Sequence, residues 1–237
     1  MNPQPSSAQD SRIELVERFF DGTGTTYDAM VHWATFGLDR LWKKRMLERV
    51  PDGNGPVLDL ACGTGISTLS IARRFPHRKV IGVELRDEYL RIAREKVARE
   101  GVRNVELVLC RAEDFDSTCE FDCITSSYLA KYADLPRLVG NCRGMLKPGG
   151  LFMMHDFTFP PQPWLVMIWR FYFMAMRNTV ARAFPAWKEI YRGLPQLIEE
   201  TRWLTTLQAE LARHGFSRLT LEYLTLYGSA IVSGVRA

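Results

Sequence analysis

Apolar residues recur along the chain in two rhythms. Ile13, Leu15, Val16, Phe19 and Phe20 fall at helical spacing, and a second helical stretch over 30–50 is rich in tryptophan and basic side chains. The DGTGTTYD between them and the PDGNG at 51–55 read as loops. Short apolar runs then appear at 56–61, 79–84, 105–110, 121–126 and 151–157. Helical patterns separate them: one running to Arg74, one over 87–100 with a charged opposite face, and one over 135–146. Alternating strands and helices predict an α/β chain with a doubly wound, mostly parallel sheet covered on both faces.

The rhythm changes after Pro160. Residues 163–200 hold no strand pattern and predict a helical cap inserted at about 160–200. A helix over about 202–214 restores the alternation. Two runs at 216–226 and 229–235, separated only by Tyr227 and Gly228, predict an antiparallel hairpin that completes a seven-stranded sheet. The first dozen residues are polar and expected to fray. The expected organisation is an N-terminal helical segment, 1–50, covering the site, and one sheet-bearing domain, 51–237.

Composition excludes little beyond disorder and fibres: 46% of residues are hydrophobic and 24% charged. The 31 Lys and Arg against 27 Asp and Glu leave a net charge of +4, too weak to predict a nucleic-acid binder. A mildly basic face touching anionic lipid, and homodimerisation, stay open. Cys62, Cys110, Cys119, Cys123 and Cys142 form no CxxC pair, and the four His are scattered, so neither a disulfide framework nor a metal site is expected. The start lacks a basic region followed by an apolar run. The longest apolar stretch, 164–176, is broken by Arg170 and falls short of the roughly 20 residues that cross a bilayer. The expectation is a reduced, cytoplasmic protein.

The informative segment is VLDLACGTGIS at 57–67. A strand carries Asp59, a tight turn holds Gly63 and Gly65, and a helix follows at once. Glycines there let backbone approach a ligand closely, and the open amides of a helix start attract an anionic group. Glu84, ending the second strand run, stands where a carboxylate can accept hydrogen bonds from both hydroxyls of a ribose. A dinucleotide fingerprint would need a glycine where Thr68 stands, which disfavours NAD without removing a nucleotide- or NAD-binding protein from consideration.

The whole layout resembles the class I S-adenosylmethionine-dependent methyltransferases, through DLACGTG at 59–65, VIGVE at 80–84, RAEDF at 111–115 and LKPGG at 146–150. The resemblance implies a Rossmann-like methyltransferase fold, S-adenosylmethionine as cofactor and S-adenosylhomocysteine as product. It places the amino-acid end of the cofactor on Asp59, Ala61, Cys62, Gly63 and Gly65, the ribose on Glu84 with Leu85, and the adenine on Ala112 with Glu113. Ser126 would line the same crevice. YDAM at 27–30, GLDRLWKK at 37–44, DFTFPPQP at 156–163 and YRGLPQLI at 191–198 extend the similarity to the ubiquinone/menaquinone C-methyltransferase (UbiE-like) branch. Two departures stand out. SSYLAKY at 126–132 replaces a Gly-Leu-Arg-Asn-like segment, and Arg111 stands where an acid commonly faces adenine.

Ligand crevices of open α/β sheets lie beyond the carboxyl ends of the strands, which places Asp59, Glu84, Ser126, Ser127, His155 and Asp156 around one mouth. Methyl transfer is an in-line displacement, so alignment is the protein's main task. A carbon or oxygen nucleophile also loses a proton. His155 is the candidate base, backed by Asp156, with Tyr27 closing the site. The bland reading of His155 is a hydrogen-bonded core histidine, with Asp156 capping a turn. The aromatic-rich cap segment, apolar nearly all round, must be buried or meet something greasy. His32, Trp164, Tyr172, Tyr191 and Arg192 are the candidate substrate contacts. They point to a small apolar or lipid-like acceptor, quinone-like and aromatic. A phospholipid N-methyltransferase is the rival within the class.

Overall fold

A computed structural model describes residues 7–237. Seven strands form one sheet: β1 (Val57–Leu60), β2 (Val80–Glu84), β3 (Val105–Leu109), β4 (Phe121–Ser127), β5 (Leu146–Phe157), β6 (Phe216–Leu224) and β7 (Ser229–Arg236). Their order is β3-β2-β1-β4-β5-β7-β6. The first five are parallel, whereas β7 runs antiparallel between β5 and β6. The expected hairpin is therefore present, with its second strand, not its first, beside the parallel sheet. Strand order reverses between β1 and β4, so the carboxyl ends of these two strands open a crevice.

Among the described residues, five α-helices flank the sheet and four cover its mouth. The flanking helices are α3 (Leu38–Arg49), α4 (Ile66–Arg74), α5 (Asp87–Glu100), α6 (Leu135–Met145) and α9 (Trp203–Arg213). Local chemistry sets their ends. Asp87 and Glu88 favour the positive N-terminus of α5, and Gly101 ends it in the left-handed region. Asp134 caps α6 by accepting from Arg137 N. Leu58, Leu60, Ile124 and Phe152 fill the core between the sheet and α6 and α9.

Over the mouth lie α1 (Ser7–Phe20), α2 (Tyr27–Ala34), α7 (Pro163–Ala183) and α8 (Lys188–Glu200). They share their own core, built on Phe19, Met30, Met176, Val180, Trp187, Ile190 and Tyr191. α1 reaches back to Ser7, ahead of its apolar stripe, and the remaining residues expected to fray lie outside the described residues.

Two local expectations are corrected. The single helix over 30–50 is two, broken at Thr35–Gly37, because Phe36 and Gly37 adopt positive φ (52° and 79°). A Cβ at Gly37 would lie 2.9 Å from the His32 ring, so the break needs glycine. The KPGG segment is no simple turn into a strand. It lies inside β5, where the register against β4 shifts between Phe121 and Cys123 and Gly149 takes φ 78°.

Candidate active site

The turn after β1 is wound by three left-handed residues, Ala61 (φ 52°), Gly63 (φ 57°) and Gly65 (φ 84°). A Cβ at Gly63 would meet only Tyr89 Cδ1, at 3.9 Å, so the space above it is open. Gly65 is different: a Cβ there would sit 3.1 Å from the Ala93 Cβ, so this glycine lets α4 approach α5. Glu84 reaches across from β2, accepting from Gly63 N and Arg86 N, each at 2.9 Å. Burial raises its carboxyl above the ordinary range, against those two backbone donors.

A cleft of about 790 Å³, solvent at its mouth included, spreads over this turn. Ala61, Gly63, Glu84, Leu85, Ala112 and Glu113 line it. α1 closes one side with Arg12, Ile13, Val16 and Phe20, and Tyr89, Tyr128 and Tyr132 supply aromatic walls. Glu113 is held by Arg111 in a two-point pair of 2.9 and 3.1 Å, so the residue standing in place of an acid orients the next one.

A second, smaller hollow of about 360 Å³, solvent at its mouth included, lies beside the first. Tyr27, Ala61, Gly63, Ser127 and Tyr128 line both, and Lys43, Asp59, Cys62 and Thr64 line only the second. Asp59 accepts from Thr68 Oγ1 (2.6 Å) and Thr125 Oγ1 (3.0 Å). Burial outweighs these bonds and lifts its carboxyl to about 6. Lys43 comes from α3, with Nζ 3.6 Å from Asp39 and 5.5 Å from the centre of the Tyr128 ring. Burial lowers its ammonium, opposed in part by Asp39. Tyr128 itself holds φ 67°, and its buried hydroxyl has no partner among the described residues. Asp28 anchors α2 over the turn through Thr64 Oγ1 and Lys96 Nζ.

Other expected site residues lie elsewhere. Ser126 turns away from the crevice, its Oγ donating to Leu60 O, while Ser127 faces the cleft, because neighbours on a strand alternate faces. His155 is fully buried, lines neither hollow, and packs against Tyr128 and Trp42. Its Nδ1 meets Ser127 Oγ at 2.9 Å, and burial pushes its pKa down to about 3, so the ring is neutral at physiological pH. Asp156 is equally buried and bound to Lys131 Nζ at 2.5 Å. The bland reading of His155 is the one this geometry favours.

Of the three catalytic candidates only Tyr27 reaches the hollows. Tyr191 is sealed in the cap core against Trp187, and the Tyr172 hydroxyl donates to Ala34 O. His32 lies beside Asp39 at 3.5 Å, whereas Trp164 and Arg192 are exposed on the cap. Lys43, Tyr128 and the inner face of α1 carry no local signal of a site role. Only the packing of distant segments reveals them.

The sequence profile of the ubiE/COQ5 methyltransferase family matches residues 6–236. The chain belongs to that family. It is 30% identical over 224 residues to the ubiquinone/menaquinone biosynthesis C-methyltransferase UbiE of Marinomonas sp., covering 91% of this chain and 88% of the relative. It is also 30% identical over 224 residues to the demethylmenaquinone methyltransferase of Thermus thermophilus, covering 92% and 99%. Solved structures share the fold. A geranyl diphosphate C-methyltransferase from Streptomyces coelicolor, in complex with S-adenosyl-L-homocysteine, aligns with a TM-score of 0.60 at 15% identity over 84% of this chain and 77% of its own. A methyltransferase from Aquifex aeolicus aligns over all of both chains, with a TM-score of 0.56 at 14% identity.

This methyltransferase uses S-adenosylmethionine as its methyl donor. The residues present suit that donor: open space above Gly63 and a buried carboxylate at Glu84 on the cleft wall. Family membership sets aside the NAD reading. Among the described residues no helix is long and apolar enough to cross a membrane.

Proposed function

We propose that the larger cleft takes S-adenosylmethionine and the smaller hollow takes an apolar, quinone-like ring bearing an ionisable oxygen. The observation that carries this reading is the shared wall: five residues line both spaces, so two ligands would meet across Ala61 and Gly63. In this arrangement Glu84 would hold the ribose hydroxyls and Ala112 with Glu113 the adenine, while the donor's ammonium end would cross the shared wall at Ala61 and Gly63 to reach Asp59 on the side of the second hollow. When bound, S-adenosylmethionine supplies a methyl group activated on a sulfonium.

The chain's own residues do the rest. Tyr27 and Tyr128 offer flat faces on the acceptor side, which suit a ring better than a sugar. Lys43 presents a cation to the oxygen that loses its proton, and partial burial strengthens that interaction relative to water. α1 and α2 exclude solvent above them. The names of the relatives, which act in ubiquinone and menaquinone biosynthesis, support the choice of ring.

The test is turnover with a labelled methyl donor against demethylated quinols with short side chains, simple phenols and a phospholipid amine. Quinols are expected to be the best acceptors. Lys43→Met is expected to lower kcat by about a hundredfold, as loss of an oxyanion partner does, while S-adenosylhomocysteine affinity stays within about twofold. Methylation of the amine with inert quinols would discard the reading.

A further inference from the structure

α7 buries one side only. Leu165, Met176 and Val180 enter the core, whereas Trp164, Met167, Ile168, Phe171 and Met174 remain 46–68% exposed. These five recur three or four residues apart and so share a helix face. Phe36, 81% exposed, extends the row: its ring lies 6.1 Å from that of Tyr172 on α7. Single exposed apolar residues are ordinary, but a contiguous row marks a contact surface.

The same spacing continues through Asn178 and Arg182. There, Arg177, Asn178 and Arg182 meet Lys188 and Arg192 of α8 around an open hollow of about 690 Å³, solvent at its mouth included. Arg192 has Glu189 at 3.7 Å, but Arg177, Arg182 and Lys188 have no ion pair among the described residues. α7 carries Arg170, Arg177 and Arg182 and no acidic residue. A second copy laid on this face would add arginines and bring no carboxylate from its own α7. A protein partner is not needed to explain the pattern, since an anionic bilayer supplies both phosphates and an apolar layer.

We propose that this face docks the protein on anionic lipid, with the α7 row in the interfacial layer and the basic cluster at the headgroups. The helix lies in the plane of the surface, as amphipathic interfacial helices do. Docking also has a consequence for the site: Tyr172 on α7 is bonded to Ala34 at the end of α2, whose first residue, Tyr27, lines both hollows. The lid over the acceptor hollow thus adjoins the layer where a lipophilic acceptor would reside. The docking argument stands on the surface and does not depend on which acceptor is methylated.

Flotation of the full chain with phosphatidylcholine vesicles, and with the same vesicles containing phosphatidylglycerol, tests it without donor or acceptor present. Binding is expected for the anionic vesicles and is expected to weaken with salt. Ile168→Glu with Phe171→Glu, and separately Arg182→Glu with Lys188→Glu, are each expected to weaken vesicle affinity by about tenfold or more. S-adenosylhomocysteine affinity and the unfolding temperature should not change, because all four side chains are exposed. The proposal is overturned if anionic vesicles do not float the protein, or if both double variants bind them as the parent does. It is also overturned if light scattering shows a dimer that Phe171→Glu dissociates while vesicles fail to bind. An inert quinol assay would count against the acceptor reading and leave the vesicle result standing.

Discussion

Lys131 and Asp156 form a buried ion pair directly behind the aromatic wall, with Lys131 Nζ 4.6 Å from the centre of the Tyr132 ring. Burial alone would lower the lysine's pKa; the carboxylate beside it opposes that fall. Asp156 also accepts from Phe157 N at 2.7 Å and Lys131 N at 3.3 Å. Removing the lysine leaves a buried carboxylate with backbone donors only. Lys131→Met should therefore cost about 3–5 kcal/mol and lower the unfolding temperature by on the order of 10 °C. Lys131→Met with Asp156→Leu should recover most of that loss in the same melt, because the packing survives and the orphan charge does not. Asp59 gives a second residue-scale expectation. Its folded pKa, about 6, exceeds the ordinary 3.8, so the native state holds its proton more tightly than the unfolded chain. Its contribution to stability is thus largest below about pH 4 and declines as pH rises through about 6. A cationic donor reverses that preference. Calorimetry should find S-adenosylmethionine binding tightening from about pH 5 to about pH 7, with Asp59→Asn flat over the same window. Equal pH dependence in parent and variant would remove Asp59 from that role.

Within the β1–α4 turn, two glycines with similar backbone angles have different duties. Gly63 faces open space above the cleft floor, so Gly63→Val clashes with no neighbour and costs only the strain of φ 57°, about 1–3 kcal/mol; it should keep native circular dichroism yet weaken S-adenosylhomocysteine binding by at least about tenfold. Gly65 faces Ala93, so Gly65→Val should chiefly destabilise, by strain at φ 84° and by pushing α5 away, on the order of 2 kcal/mol in denaturant titrations. If Gly63→Val bound normally, the turn would not be the donor cradle. The strand–turn–helix is legible from the sequence because its cause is local: a run of apolar residues, then glycines at positive-φ positions where a side chain adds strain. α7 was half legible. Its pattern shows that it must meet something apolar all round, and the structure divides that demand between a core on one side and an open face on the other. The break between α2 and α3 had its signal in Gly37, whose role depends on the His32 ring beside it.

At the scale of the molecule, the sheet carries a cover made of two separate stretches of chain: α1 and α2 from before β1, and α7 and α8 inserted between β5 and β6. Donor binding should therefore tighten the cover more than the sheet. In hydrogen exchange, S-adenosylhomocysteine is expected to slow α1 and the 61–65 turn while leaving β5 and β7 unchanged. Unaltered exchange in α1 on saturation would mean that α1 is no lid. The periodicity of the chain by itself determined the strands, the flanking helices other than the start of α3, and the glycine turn, because each follows from contacts among residues close in sequence. Only the tertiary structure decided depth. It sank His155 and Asp156 behind Tyr128 and Lys131, turned Ser126 away from the cleft, and carried Lys43 in from α3. The physical reason is that burial of a side chain is set by what lies over it, and over this mouth that cover comes from segments far away along the chain.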